Sequence, residues 1–192
     1  HTWAAWKSSS RRAEQEEGCA VEILPDVLRP GLAVVFCGMA AGRKSARVGA
    51  YYAGPGNRFW KILFATGLTP RLLKPDEFRT LPEYSIGLTD MEKRQSGNDD
   101  ELDLSAIDPQ GLRDRIARYA PRILAFNSKT AALQFYGQKD IAYGLQEDRL
   151  GTTAVFVLPS TSGRNAHWGR LEHHWYDLAR LARGGNPGAG MV

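Results

Sequence analysis

The chain has 192 residues, 43% of them hydrophobic, and a formal charge of +4 with a pI near 9.2. That is enough chain for one α/β domain with a sizeable core, and the modest basic excess favours an anionic partner without proving one. No apolar stretch approaches the roughly 20 residues that cross a bilayer, and no signal peptide is recognisable ahead of the domain, so a soluble, cytoplasmic protein is expected.

Residues 1–24 are rich in Ser, Arg and Glu, apart from Trp3 and Trp6, and read as a poorly ordered arm ahead of a folded domain over 25–184. Val34-Val35-Phe36-Cys37 is a short continuous apolar run, the pattern of a parallel strand buried on both faces, and Gly38 ends it. The turn Gly38-Met39-Ala40-Ala41-Gly42 has little bulk apart from Met39, so a planar ligand can approach its backbone amides; the same glycines also simply fit a tight turn. Arg43, Lys44 and Arg47 follow as a basic loop, then Tyr51 and Tyr52, and Pro55 and Asn57 open a helix from about 57 to 67. A short helix near 75–81 and an irregular stretch around 84–104 lead to a helix near 109–119. Residues 122–126 read as a second buried strand, Lys129 to Tyr136 as a helix, 153–158 as a third strand, 170–183 as a last helix and 185–192 as a flexible tail. Alternating strands and helices predict a single-domain, three-layer α/β/α fold around a mostly parallel central sheet. Ligands of such sheets gather at the strands' carboxyl ends, where the small-residue turn lies.

Cys19 and Cys37 provide neither a disulfide framework nor a four-cysteine cluster, and His1, His167, His173 and His174 form no metal signature. No metal or cofactor is expected.

The run VVFCG-MAAG at 34–42, the helix entry GPGNRFW at 54–60, Phe126-Asn127-Ser128-Lys129 and Pro159-Ser160-Thr161-Ser162-Gly163-Arg164 together resemble the thymine/mismatch-specific uracil DNA glycosylases, family 2 of the uracil-DNA glycosylase superfamily. The resemblance starts at Leu28-Arg29-Pro30-Gly31 and keeps the three motifs in the family's order. It implies a uracil-DNA glycosylase-like fold and a monofunctional DNA repair enzyme that flips uracil out of DNA and hydrolyses its N-glycosidic bond. It further implies a monomer that takes uracil-containing DNA as partner and is nucleoid-associated when acting on it. Two alternatives stay open: a glycosylase with shifted base choice, such as hypoxanthine, and a protein that binds uracil or abasic DNA without turnover.

One departure stands out: the family's water-positioning asparagine falls on Ala40, whose methyl group cannot orient water. Asp90 aligns with a pocket-side segment and can orient water or stabilise the cationic sugar; it also fits an N-cap before Met91-Glu92-Lys93. Ser160 is a further catalytic candidate, though a hydroxyl without an adjacent base is a poor general base. Ala40 and Gly42 line the expected base site through their backbone. Tyr52 matches the stacking position and Tyr51 borders the C5 edge; either aromatic can instead be core. Asn127 can donate to uracil O4 while accepting from N3–H, or cap the following helix. Arg43, Lys44, Ser45, Lys129, Ser162 and Gly163 are expected at DNA phosphates, with Arg164 at the family's wedge position or, alternatively, in a surface salt bridge.

Overall fold

The computed structural model describes residues 21–184. Its centre is a five-stranded sheet: β1 (Val34–Gly38), β2 (Ile86–Asp90), β3 (Ile123–Phe126), β4 (Gly144–Leu150) and β5 (Thr153–Val157), in the order β2-β1-β3-β5-β4. β2, β1, β3 and β5 run parallel; β4 is antiparallel to β5. The four parallel strands are buried along their whole length because helices cover both faces.

Side-chain alternation divides the interior. Val34 and Phe36, with Ile86, Leu88, Ile123, Ala125 and Phe156, face a core completed by Phe59, Leu63, Phe78 and Trp175. Val35 and Cys37, with Leu124, Phe126, Val155 and Val157, face a second core with Leu112, Ile116 and Phe135. The first core is closed by α2 (Phe59–Ala65), the 3-10 segment Pro75–Tyr84 and α6 (His173–Ala182); the second by α3 (Pro109–Tyr119) and α4 (Lys129–Tyr136). The expected three-layer α/β/α fold is the one observed.

Local chemistry sets most of the helix ends. Asp108 caps α3 by accepting from the Gly111 N–H at 2.9 Å, with Pro109 in the first turn. Ser128, not Asn127, caps α4, accepting from the Ala131 N–H at 2.9 Å, and Gly137 ends that helix at φ +64.

Three expectations need correction, and the strand β4 had no counterpart among them. Arg43–Val48 is a six-residue helix, α1, rather than a loop, closed by Gly49 at φ +68. The final helix is broken at Glu172 into α5 (Trp168–Leu171) and α6. The stretch 84–104 contains β2, whose sequence IGLTD is too polar to read as a buried strand. Its partner β1 draws it in, and Gly87 leaves room for the preceding crossing segment, since a Cβ there would meet Leu32 Cδ1 and the Val27 carbonyl oxygen at 2.7 Å. The edge strand β4, with Gln146, Glu147, Asp148 and Arg149 at its centre, carries the charge that discourages further pairing and gives no apolar signal.

Residues 1–20 of the expected arm and the tail 185–192 lie outside the described residues. Leu24, at the arm's expected end, is 2% exposed in the first core, and the Ile23 N–H donates to the Lys93 carbonyl at 2.9 Å. No helix among the described residues is long and apolar enough to cross a membrane.

Candidate active site at the strand ends

The parallel register brings the motifs together. Gly38 pairs with Asp90, Cys37 with Phe126 and Phe126 with Val157. The residues after β1, β3 and β5, which carry the three motifs, therefore leave the sheet along one rim, and Asp90 ends β2 on that rim.

Asp90 is the last residue of a strand and not a helix cap. It is 4% exposed, and its carboxylate makes no hydrogen bond among the described residues. A Cβ placed on Gly38 would lie 2.6 Å from Asp90 Oδ1 and 3.4 Å from the Tyr52 hydroxyl, so glycine at 38 makes the space for the carboxylate. Burial pushes the Asp90 carboxyl from its ordinary 3.8 up to about 7; Lys93 pulls it down, Asp26 adds to the rise and Arg115 opposes it. A carboxylate that titrates near neutrality and lacks internal partners is suited to accept a proton from water.

Tyr52 adopts the left-handed conformation, φ +54, which is uncommon for a large side chain and clusters at functional sites. One face of its ring stacks on Phe59, with centroids 3.9 Å apart, while the residue keeps partial exposure. Its hydroxyl is buried without a hydrogen-bond partner among the described residues. Burial, then the Asp90 charge, raises its pKa; the Asn127 side chain acts in the opposite sense, close by but outside hydrogen-bonding geometry. Tyr51 is different. It is 2% exposed, packs edge-on to Phe78, and its hydroxyl donates to the Pro25 carbonyl at 3.2 Å. The expectation that it borders the base is thus corrected: its ring is packed within the first core. Ala40 is half-buried and Gly42 exposed ahead of α1.

Asn127 is 5% exposed, and Thr161 engages both ends of its amide. Its Nδ2 donates to Thr161 Oγ1 at 2.9 Å and its Oδ1 accepts from the Thr161 N–H at 3.1 Å. The Thr161 carbonyl in turn accepts from the Arg58 N–H at 2.9 Å, while Arg58 Nη1 donates to the Ser162 carbonyl at 2.8 Å. Thr161 thereby ties the helix entry, the second motif and the third motif into one unit. The sequence hides this role because the hydroxyl sits between Ser160 and Ser162 and shows no pattern of its own. Gly163 packs against Gly56, and a Cβ on it would meet the Gly56 carbonyl oxygen at 3.1 Å. Two indoles hold the frame from below: Trp60 Nε1 donates to the Tyr51 carbonyl and Trp175 Nε1 to the Pro159 carbonyl, both at 3.1 Å.

The other expected residues divide. Ser160 Oγ accepts from the Ser162 N–H at 3.2 Å, and no carboxylate or imidazole bonds to it among the described residues. Ser162 Oγ accepts from the Arg164 N–H at 3.3 Å. Arg164 and Lys44 are exposed and form no ion pair among the described residues. Arg43 is exposed but paired with Glu101. Lys129 lies over the Tyr143 ring at 4.7 Å and faces Asp140 at 3.5 Å, toward the β4 edge. Ser45 is corrected: it is buried in α1, and its Oγ accepts from the Ala53 N–H at 3.0 Å, bracing the tyrosine turn instead of facing phosphates.

Cys37 is buried and its thiol is raised by that burial; Cys19 lies outside the described residues. Among the described residues, His173, His174 and Asp177 are the one group whose potential metal ligands approach within 4.8 Å; none of them belongs to the three motifs. A cavity of about 370 Å³ beside β4, lined by Tyr136, Ile141, Leu145 and Asp148 among others, shares no residue with the rim.

The strand ends of this α/β/α sheet thus bring together a buried carboxylate, a stacked tyrosine and the basic helix α1. The fold is similar to that of a candidate uracil DNA glycosylase from Methanosarcina acetivorans, solved by NMR in solution, with 24% identity, a TM-score of 0.57 and coverage of 83% of this chain and 96% of that one. The chain belongs to the Uracil DNA glycosylase superfamily, whose pattern matches residues 25–181. By class it is a DNA glycosylase.

Proposed function

We propose that the protein is a monofunctional uracil-DNA glycosylase of the family 2 type, in which Asp90 does the work that the family assigns to the asparagine replaced here by Ala40. The observation that carries this reading is the Asp90 carboxylate itself: buried, without a hydrogen-bond partner among the described residues, and accommodated by Gly38 at the carboxyl end of the sheet. Such a group is costly to keep ionised, so its natural partner is a water molecule and a developing positive charge.

In the reaction, uracil leaves the base stack and lies against the Tyr52 ring, whose far face is fixed by Phe59. Asn127, with both amide ends held by Thr161, retains one N–H and one lone pair to read the base edge. The bond between sugar C1′ and base N1 breaks, and its electron pair leaves with uracil as an anion that backbone amides near Gly42 stabilise. The Asp90 carboxylate orients water toward C1′; the water oxygen forms the new bond and its proton passes to Asp90. Arg164 fills the vacated stack, with Ser160, Ser162 and Gly163 at the flanking phosphates and Lys44 and Arg43 beyond. No lysine is assigned a Schiff-base role, so the product is an abasic site without strand cleavage, formed by a monomer without a cofactor.

The test is single-turnover incubation with matched oligonucleotides carrying U·G, U·A, single-stranded U, T·G or hypoxanthine, followed by alkali to reveal abasic sites. Cleavage confined to uracil substrates upholds the reading. Cleavage confined to hypoxanthine shifts the base choice, and tight binding of every uracil substrate without cleavage makes Ala40 the mark of a damage-binding protein.

A further inference from the structure

A cluster of charges lies at the carboxyl end of β2, assembled from segments far apart in sequence. Asp26 Oδ1 accepts from Thr89 Oγ1 at 2.7 Å and from Lys93 Nζ at 2.6 Å, and Asp26 Oδ2 lies 3.5 Å from Arg115 Nε. Lys93, with a side chain only 9% exposed, also donates to the Leu24 carbonyl at 2.7 Å and lies 3.8 Å from Glu22. Arg115, on α3, donates through Nη2 to the backbone carbonyl of Asp90 itself at 2.9 Å, while its Nε is buried without a hydrogen-bond partner among the described residues. Charges held this way are expensive: desolvation offsets most of their mutual attraction, and an apolar cluster of equal volume is often as stable. Their placement around the last two residues of β2 indicates a task other than holding the fold.

We propose that Asp26, Lys93 and Arg115 are positioning residues that set the charge state of Asp90: the two cations favour its ionised form and Asp26 offsets part of their pull. The inference rests on the reading of Asp90 as the water-orienting group. The titratable and charged groups near enough to act on Asp90 come from several elements: Cys37 from β1, Tyr51 and Tyr52 from the turn after α1, Arg115 from α3, Lys93 from the loop after β2 and Asp26 from the crossing segment. Burial raises the thiol and both phenols, so these stay neutral around pH 7 and the charged set reduces to Asp26, Lys93 and Arg115. Because Lys93 is bonded to Asp26, its charge reaches Asp90 already partly compensated. Removing either member of that pair uncovers the other, and the two removals act with opposite sign.

The experiment measures single-turnover uracil excision between pH 5 and pH 9 for wild type, Asp26→Asn, Lys93→Met and Asp90→Asn, alongside carbon-13 NMR titration of the Asp90 carboxyl in the DNA-free protein. The ionised carboxylate is the active form, so the rate rises with pH through its pKa. Asp26→Asn is expected to move this rise to lower pH by about one unit, giving up to about tenfold more rate at pH 6; Lys93→Met is expected to move it to higher pH by a similar amount. The NMR titrations shift in the same two directions. A merely structural cluster would lower the melting temperature and scale the rate equally at all pH values. Unmoved profiles and titrations, or shifts of the same sign, overturn the inference. If Asp90→Asn retains wild-type rate and profile, the reading of Asp90 fails, while the NMR titration still decides whether the cluster governs its charge. Lys93→Gln replaces Lys93→Met where the latter does not fold.

Discussion

The rim of the sheet is built on two opposite principles. On the side of β3 and β5, polar groups are satisfied by one another: the Asn127 amide and the Thr161 peptide and hydroxyl exchange two hydrogen bonds, and Arg58 joins them to the helix entry. On the side of β1 and β2, Asp90 and the Tyr52 hydroxyl are buried without hydrogen-bond partners among the described residues, and Tyr52 holds a strained backbone. The first side sets geometry and adds stability. The second leaves buried polar groups unsatisfied at a cost in stability, the trade expected where chemistry occurs.

The sharpest way to break that comparison is Asp90→Asn. It is expected to lower single-turnover uracil excision by about 10²- to 10⁴-fold with DNA binding retained, the loss typical of a positioned catalytic group. An unchanged rate in a quench-flow assay would make the unsatisfied side idle.

The same variant should be more stable than wild type at alkaline pH. Because the folded carboxyl titrates at about 7 instead of 3.8, its favourable contribution is complete below 3.8 and is lost as pH rises through about 7. Thermal melts are therefore expected to show Asp90→Asn ahead by about 2–4 kcal/mol, or roughly 5–10 °C, at pH 8, with the gap closing toward pH 4. A variant that is less stable at pH 8 would mean that Asp90 supports the fold.

Gly38→Ala tests the space that the carboxylate occupies. The new methyl group would meet Asp90 Oδ1 at 2.6 Å, so displacement of the carboxylate is expected to cost about 10²-fold in rate, with substrate affinity little changed.

Thr161→Val probes the satisfied side. It removes the acceptor for Asn127 Nδ2 while keeping the shape, for an expected loss of about 1–3 kcal/mol in denaturant unfolding. Its pH–rate profile should keep its midpoint, since the change lies away from the Asp90 charge cluster.

How much of this was legible in the sequence follows the same division. Continuous apolar runs revealed β1, β3 and β5, and the helices expected near 109–119 and from Lys129 to Tyr136 stand where α3 and α4 do, although the cap of α4 is Ser128 and not Asn127. β2 was not legible, since Gly87, Thr89 and Asp90 become strand residues only through pairing with β1. Nor was β4, a polar edge held by β5 alone. Among site residues, Asp90 was reached by resemblance to a family and not by any strand signal. Tyr51 and Tyr52 are indistinguishable as neighbouring aromatics; what parts them is the backbone at Tyr52, φ +54, which sends one ring to the core and the other to the rim. Thr161 and Ser45 show the remaining gap: hydrogen bonds between distant segments leave no trace in local sequence.

The pairing of Gly38 with Asp90 makes the sheet a counting device. Ile86 and Leu88 point into the first core, and Asp90 continues their face; Thr89, between them, bonds to Asp26 at the edge. Strand side chains repeat every two residues, so gaining or losing a single residue within β2 would exchange Asp90 with a neighbour and turn the carboxylate to the wrong face while leaving the backbone ladder intact. New specificities on this scaffold can thus arise by replacing residues in place or by changing loop lengths beyond the rim, but the spacing inside β2 is not free to drift.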